Sequence, residues 1–133
     1  MPPKVPKTIV VAMFFGGAIG ASARYGIDLL LVAVPSSIIY STLLVNLSGA
    51  LLLGIVNNHR FFQSLHKKMF FGHGLLGSFT TMSALAVITA TPELGLGANG
   101  FLYWLYVIAQ LALGVLVYRA GLIFAQKLKR VKP

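Results

Sequence analysis

Apolar residues run almost unbroken over four stretches of the chain, roughly 8–34, 37–56, 69–90 and 101–125. A bilayer-spanning helix needs about 20 such residues, so the pattern predicts four transmembrane helices with short connections. Pro35 closes the first stretch, the pair Asn57-Asn58 closes the second, and Pro92 with the run Gly95-Leu96-Gly97-Ala98-Asn99-Gly100 supplies the turn after the third. The third stretch differs from the others. Its segment Gly72-His73-Gly74-Leu75-Leu76-Gly77-Ser78-Phe79-Thr80-Thr81-Met82-Ser83 packs three glycines and four hydroxyl residues into one span. That composition predicts a helix broken near its middle, which is tolerated at membrane depth where the freed backbone is buried in protein or lines a cavity. Serine and threonine bonding back to an unbroken helix is the alternative. The expected fold is an all-α membrane protein whose residues 1–133 form a single four-helix transmembrane domain. Basic residues at 2–7 followed by an apolar run resemble a signal peptide, but the run is too long and carries Gly16, Gly17 and Gly20, so it reads as a retained first helix.

Composition agrees with burial in lipid rather than water: 57% of the 133 residues are hydrophobic, 10% are charged and the mean hydropathy is +0.85. No residues remain for a soluble domain. The absence of cysteine excludes disulfides and thiolate chemistry. A net charge of +9 raises the question of nucleic acid, but the basic residues cluster beside the ends of apolar spans. Lys4, Lys7, Arg60, Lys67, Lys68, Lys127, Lys129, Arg130 and Lys132 fall on one side of the membrane, against Arg24 with Asp28 and Glu93 on the other. The positive-inside rule then predicts a multi-pass membrane protein with both termini cytoplasmic and one strongly fixed orientation.

Few polar residues lie inside the spans. Arg24 near the end of the first span either snorkels, pairs with Asp28 one turn on, or makes an electropositive vestibule that draws in anions. Asn46, between Val45 and Leu47, needs hydrogen-bond partners in its apolar span, as glue between helices or as an NH2 donor on a polar path. Tyr106, Gln110, Gly114 and Tyr118 share one face of the fourth helix. Gly16 with Gly20, and Ala50 with Gly54, are spaced for close helix packing. His66 and His73 would share a face on a continuous helix, but Gly72 lies between them and no carboxylate or cysteine is near enough in sequence to complete a metal shell. Asp28 and Glu93 are the only carboxylates and sit near membrane edges, which leaves neither a catalytic carboxylate pair nor a mid-membrane acid for proton coupling. An enzyme is not expected.

Three motifs taken together resemble one family: Gly16-Gly17-Ala18-Ile19-Gly20-Ala21 leading to Arg24-Tyr25, Thr42-Leu43-Leu44-Val45-Asn46-Leu47-Ser48-Gly49, and Gly77-Ser78-Phe79-Thr80-Thr81-Met82-Ser83. In order and spacing they are similar to the Fluc fluoride channels, also called CrcB proteins, over essentially the whole chain. The resemblance implies an antiparallel dimer that lets fluoride leave the cytoplasm passively, with a central structural sodium ion held by the carbonyls of Gly77 and Thr80. It also implies that Arg24 is the vestibule arginine and Asn46 the pore asparagine, with Thr81, Ser83, Tyr106 and Gln110 on the anion path.

The chain departs from the family pattern where two phenylalanines present their ring edges to the ion. Met82 and Leu85 stand at those positions, Gln110 stands where serine is usual, and Ile88 where a glutamate commonly follows. A homodimer of antiparallel copies requires each chain to insert either way, and nine basic residues against one forbid that. Both features predict a subunit of a heterodimer whose oppositely oriented paralogue supplies the missing groups. The competing readings are a non-conducting membrane scaffold and a small proton-coupled multidrug exporter.

Overall fold

The computed structural model describes residues 6–90 and 100–130. Glu93, the Pro92 turn, residues 95–99 of the glycine-rich run, Lys4 and Lys132 lie outside the described residues. Among those described, all regular structure is helical: α1 (Lys7–Leu31), α2 (Ser37–Asn58), a 3-10 turn at Arg60–Phe62, α3 (Leu65–Lys68), a wider π-helical stretch Met69–Leu76, α4 (Gly77–Phe79), α5 (Ser83–Ala90) and α6 (Gly100–Arg130). Four helical segments are long and apolar enough to cross a membrane, namely Lys7–Leu31, Ser37–Asn58, Leu65–Ile88 and Phe101–Leu128. The chain is a multi-pass membrane protein.

The apolar side chains face outward. Phe14, Leu30, Phe101, Trp104, Ile108, Val115 and Leu116 are all exposed, while few large side chains such as Val45, Leu76, Leu85 and Ile88 are buried. In water that distribution would be untenable; in lipid there is no hydrophobic penalty for it, and helix association rests on close packing instead. Glycines provide the close packing. A Cβ on Gly16 would collide with the Phe70 carbonyl and one on Gly20 with the Leu75 carbonyl, while Gly74 lies against Gly16 and Gly17 from the other side. Gly54 of α2 and Gly121 of α6 do the same for each other, a Cβ on Gly121 coming within 3.2 Å of Gly54 Cα. Asn57 Nδ2 donates to Tyr118 Oη at 3.1 Å and Asn58 Nδ2 to the Leu122 carbonyl at 3.0 Å, which fixes the α2–α6 register.

The third span contains the expected break near its middle. The helix continues through Gly72 as the π-helical stretch, with Gly77 N–H reaching back to the Gly72 and Gly74 carbonyls. Helix is lost at residues 80–82, where Thr80 turns extended (φ −73°, ψ 155°), and resumes at Ser83. With the helix continuous through Gly72, Thr8 Oγ1 lies 3.1 Å from His66 Nε2. α1 ends at Leu31 and the turn to α2 uses Pro35 and Ser36, the latter in left-handed backbone at φ 57°. α6 extends to Arg130, because Gln126 to Arg130 are all good helix formers. Arg119, inside the fourth span and so outside the loop tally, is exposed.

Candidate functional site at the helix break

Asn46 holds the break. Its Nδ2 donates to the Thr81 carbonyl at 3.0 Å and its Oδ1 accepts from Thr81 N–H at 2.8 Å, so one carboxamide satisfies both backbone groups of a residue that helix has abandoned. The pairing also fixes which way the amide points, since Oδ1 must face the N–H. One Nδ2 hydrogen is left over. Asn46 is therefore interhelical glue, and it still has a donor to offer.

Two side chains divert backbone donors at this point. In an unbroken helix Thr81 N–H would bond the Gly77 carbonyl, and here it bonds Asn46 Oδ1 instead. Ala84 N–H would bond the Thr80 carbonyl, and here it bonds Thr81 Oγ1 at 3.1 Å, capping α5. Gly77 and Thr80 thereby lose the helical donors of their carbonyls. Carbonyls freed in a broken transmembrane helix are suited to a sodium ion, and these are the two carbonyls the sequence resemblance selects. Thr80 itself is braced by its N–H (3.1 Å) and hydroxyl (3.0 Å) on the Leu76 carbonyl, and its methyl seats against Gly49, where a Cβ would displace it.

Thr81 is 7% exposed and lines two cavities. The first, about 490 Å³, lies between α1, α2 and α5 and brings Arg24, Asp28, Ser41, Thr42, Thr81 and Ser83 together. Thr81 and Ser83 hydroxyls sit 3.0 Å apart, so one donates to the other and one hydroxyl hydrogen remains. Arg24 and Asp28 both line this cavity, and no ion pair joins them among the described residues. Ser41 and Thr42 are buried walls of it to which the sequence assigned no role, although with Ser37 and Val45 they repeat along one face of α2.

The second cavity is a groove of about 380 Å³ lined by Asn46, Gly77, Thr80, Thr81, Met82 and Gln110, among mostly apolar neighbours. Met82 is 64% exposed at its edge, whereas Leu85 is buried in the protein. Gln110 is 4% exposed; its Nε2 donates to the Thr42 carbonyl at 3.3 Å, and its Oε1 is buried with no hydrogen-bond partner among the described residues. Tyr106 donates its hydroxyl hydrogen to the Ile39 carbonyl at 2.9 Å. Of the residues expected on a polar path, Arg24, Thr81 and Ser83 share the first cavity, Asn46 and Gln110 share the groove with Thr81, and Tyr106 is committed to α2.

Residues 11–122 match the family described as CrcB-like protein, Camphor Resistance (CrcB). The chain is 36% identical over 121 residues to the fluoride-specific ion channel FluC 2 of Bacillus licheniformis, covering 88% of this chain and 86% of that one. It is 39% identical over 114 residues to fluoride-specific ion channel FluC 1 of Rhodococcus jostii, covering 86% and 82% respectively. With fluoride-specific ion channel FluC of Paracoccus denitrificans it shares 38% over 88 residues, 64% of this chain and 69% of that one. No solved structure matches the chain with significance. A match over most of the length, to a family of ion channels rather than enzymes, makes the chain a member of the CrcB (Fluc) family.

Proposed function

We propose that this chain is a subunit of a passive fluoride channel that exports fluoride from the cytoplasm across the inner membrane. The observation that carries the reading is the Asn46–Thr81 clamp, which holds a helix break open between two cavities and leaves donors on the way through. Fluoride is small and strongly hydrated, so a path for it must replace water by directed donors. The Arg24 guanidinium, the spare hydroxyl hydrogen of Thr81 and Ser83, and the second Nδ2 hydrogen of Asn46 supply such donors. A structural sodium ion on the Gly77 and Thr80 carbonyls would add a fixed positive charge beside them.

The working unit in this reading is a heterodimer with an oppositely oriented paralogue. The loop charge bias supports it, as does the groove, whose exposed Met82 and open Gly114 face invite a partner that brings aromatic edges. Relatives named FluC 1 and FluC 2 are in keeping with paired genes. Reconstitution in liposomes, followed by a fluoride electrode, tests this: the chain with its paralogue should release fluoride, and the chain alone should not. Equal flux from the chain alone would remove the heterodimer. No flux from either would favour a non-conducting scaffold subunit.

A further inference from the structure

Arg24 and Asp28 lie one turn apart on α1 and line the same cavity without pairing, although i, i+4 is the spacing at which an arginine and a carboxylate ordinarily close on each other. Four residues of helix separate them by about 6 Å along the axis. Asp28 is nearer the end of α1 and exposed, while Arg24 is deeper and half-buried. Among the described residues they are the only charged ones lining the cavity. Its field is therefore a dipole, negative at the mouth and positive further in.

A cavity of about 490 Å³ is far larger than a fluoride ion needs. With a guanidinium and the hydroxyls of Ser37, Ser83 and Thr81 on its walls, it would by itself be a good receptor for a divalent tetrahedral oxyanion, sulfate or hydrogen phosphate, which arginine holds through two parallel hydrogen bonds. Such an ion would sit in front of Thr81 and block the way to the groove. Asp28 opposes this, and it does so in proportion to the square of the effect on a monovalent ion. A unit charge about 6 Å away in water-like surroundings changes the local concentration of a monovalent anion roughly threefold and of a divalent anion roughly tenfold.

We propose that Asp28 is a specificity-determining residue, a carboxylate at the mouth that keeps the Arg24 cavity from binding divalent oxyanions while leaving it accessible to fluoride. Its purpose rests on the channel reading above; its action on the cavity does not. The chain has no cysteine, so Ser37→Cys places a single thiol on the cavity wall of the full-length protein reconstituted in liposomes. The rates at which a sulfonate-bearing and a trimethylammonium-bearing methanethiosulfonate modify that thiol report the local field without any need for conduction. In this background Asp28→Asn should raise the ratio of anionic to cationic rate about tenfold at low salt, and Arg24→Gln should lower it. Both effects should collapse at about 1 M salt, where the Debye length is near 3 Å. Sulfate should protect the thiol from a neutral reagent about tenfold more effectively after Asp28→Asn. An unchanged rate ratio, or sulfate protection equal in both proteins, overturns the proposal. A field that responds as expected in a protein that passes no fluoride would sink the channel reading and leave this one standing.

Discussion

The cavity holding Arg24 and the groove holding Gln110 meet at Thr81, yet their walls differ in hydrogen-bonding capacity. On the first side a guanidinium and several hydroxyls can donate, beside the Asp28 carboxylate at the mouth. On the second, Gly77, Thr80 and Gln110 bring carbonyl and amide oxygens that accept, with the Asn46 amide as a donor among mostly apolar side chains. Both come from one device. By taking the Thr81 backbone into its own amide, Asn46 stops the helix, exposes carbonyls on one side, and frees Thr81 Oγ1 to cap α5 and meet Ser83 on the other. Anions suit the donor side, whereas the acceptor side suits a cation or the donors of a partner chain.

The largest effect should come from breaking the device. Asn46→Asp cannot donate to the Thr81 carbonyl and places a carboxylate beside it, leaving a buried backbone acceptor unpaired at about 1–3 kcal/mol and repelling anions at the same point. Fluoride efflux from liposomes bearing the assembled channel should fall about a hundredfold or more, since each 1.36 kcal/mol is a factor of ten. Efflux within about twofold of the native protein would take Asn46 out of the anion path.

Next is the groove as a seat for a partner. A Cβ on Gly114 meets no heavy atom within 4 Å, in contrast to Gly54 and Gly121, where it would strike backbone. Gly114→Leu should therefore leave the chain folded, as read by circular dichroism in detergent. Pairing with a partner that fills the groove should weaken about tenfold or more, because overpacking typically costs 1–3 kcal/mol. Gly121→Leu should instead unfold the chain itself. If both behave alike, the groove is not the open face.

Much of this was readable from sequence because lipid makes sequence unusually explicit. Four apolar stretches, the small residues that pack them and the charge bias at their ends each follow from one physical demand. The break was legible, near the middle of its span, as a cluster of glycines and hydroxyls, but the residue that makes it was not. Gly72 and Gly74 read as breakers, yet they are absorbed into a π-helical stretch that presses on α1, and the residue that ends the helix is Asn46, thirty-five positions away. The direction of each amide and hydroxyl was equally hidden. Tyr106 and Gln110 share a polar face in sequence, but only the fold shows that their hydrogens are aimed at α2 carbonyls.

Gln110 gives a smaller and more discriminating test. Gln110→Met keeps the volume and removes the orphan acceptor, so the chain alone should gain up to about 1 kcal/mol of stability in a detergent unfolding series, or stay neutral. Should a partner donate to Oε1, the assembled pair must lose stability instead. The sign of the change, measured with and without the paralogue, says which kind of group covers the groove.

The smallest effect is expected at Tyr106. Its hydroxyl hydrogen is committed to the Ile39 carbonyl, so it has no donor to give an anion, and Tyr106→Phe removes one hydrogen bond worth about 0.5–1.5 kcal/mol without altering the donor side. Unfolding should become easier by about that amount while fluoride efflux stays within about twofold. A tenfold loss of efflux would mean that the hydroxyl turns away from Ile39 to serve the ion. Such a result would place on the ion path a hydroxyl that the fold commits to α2.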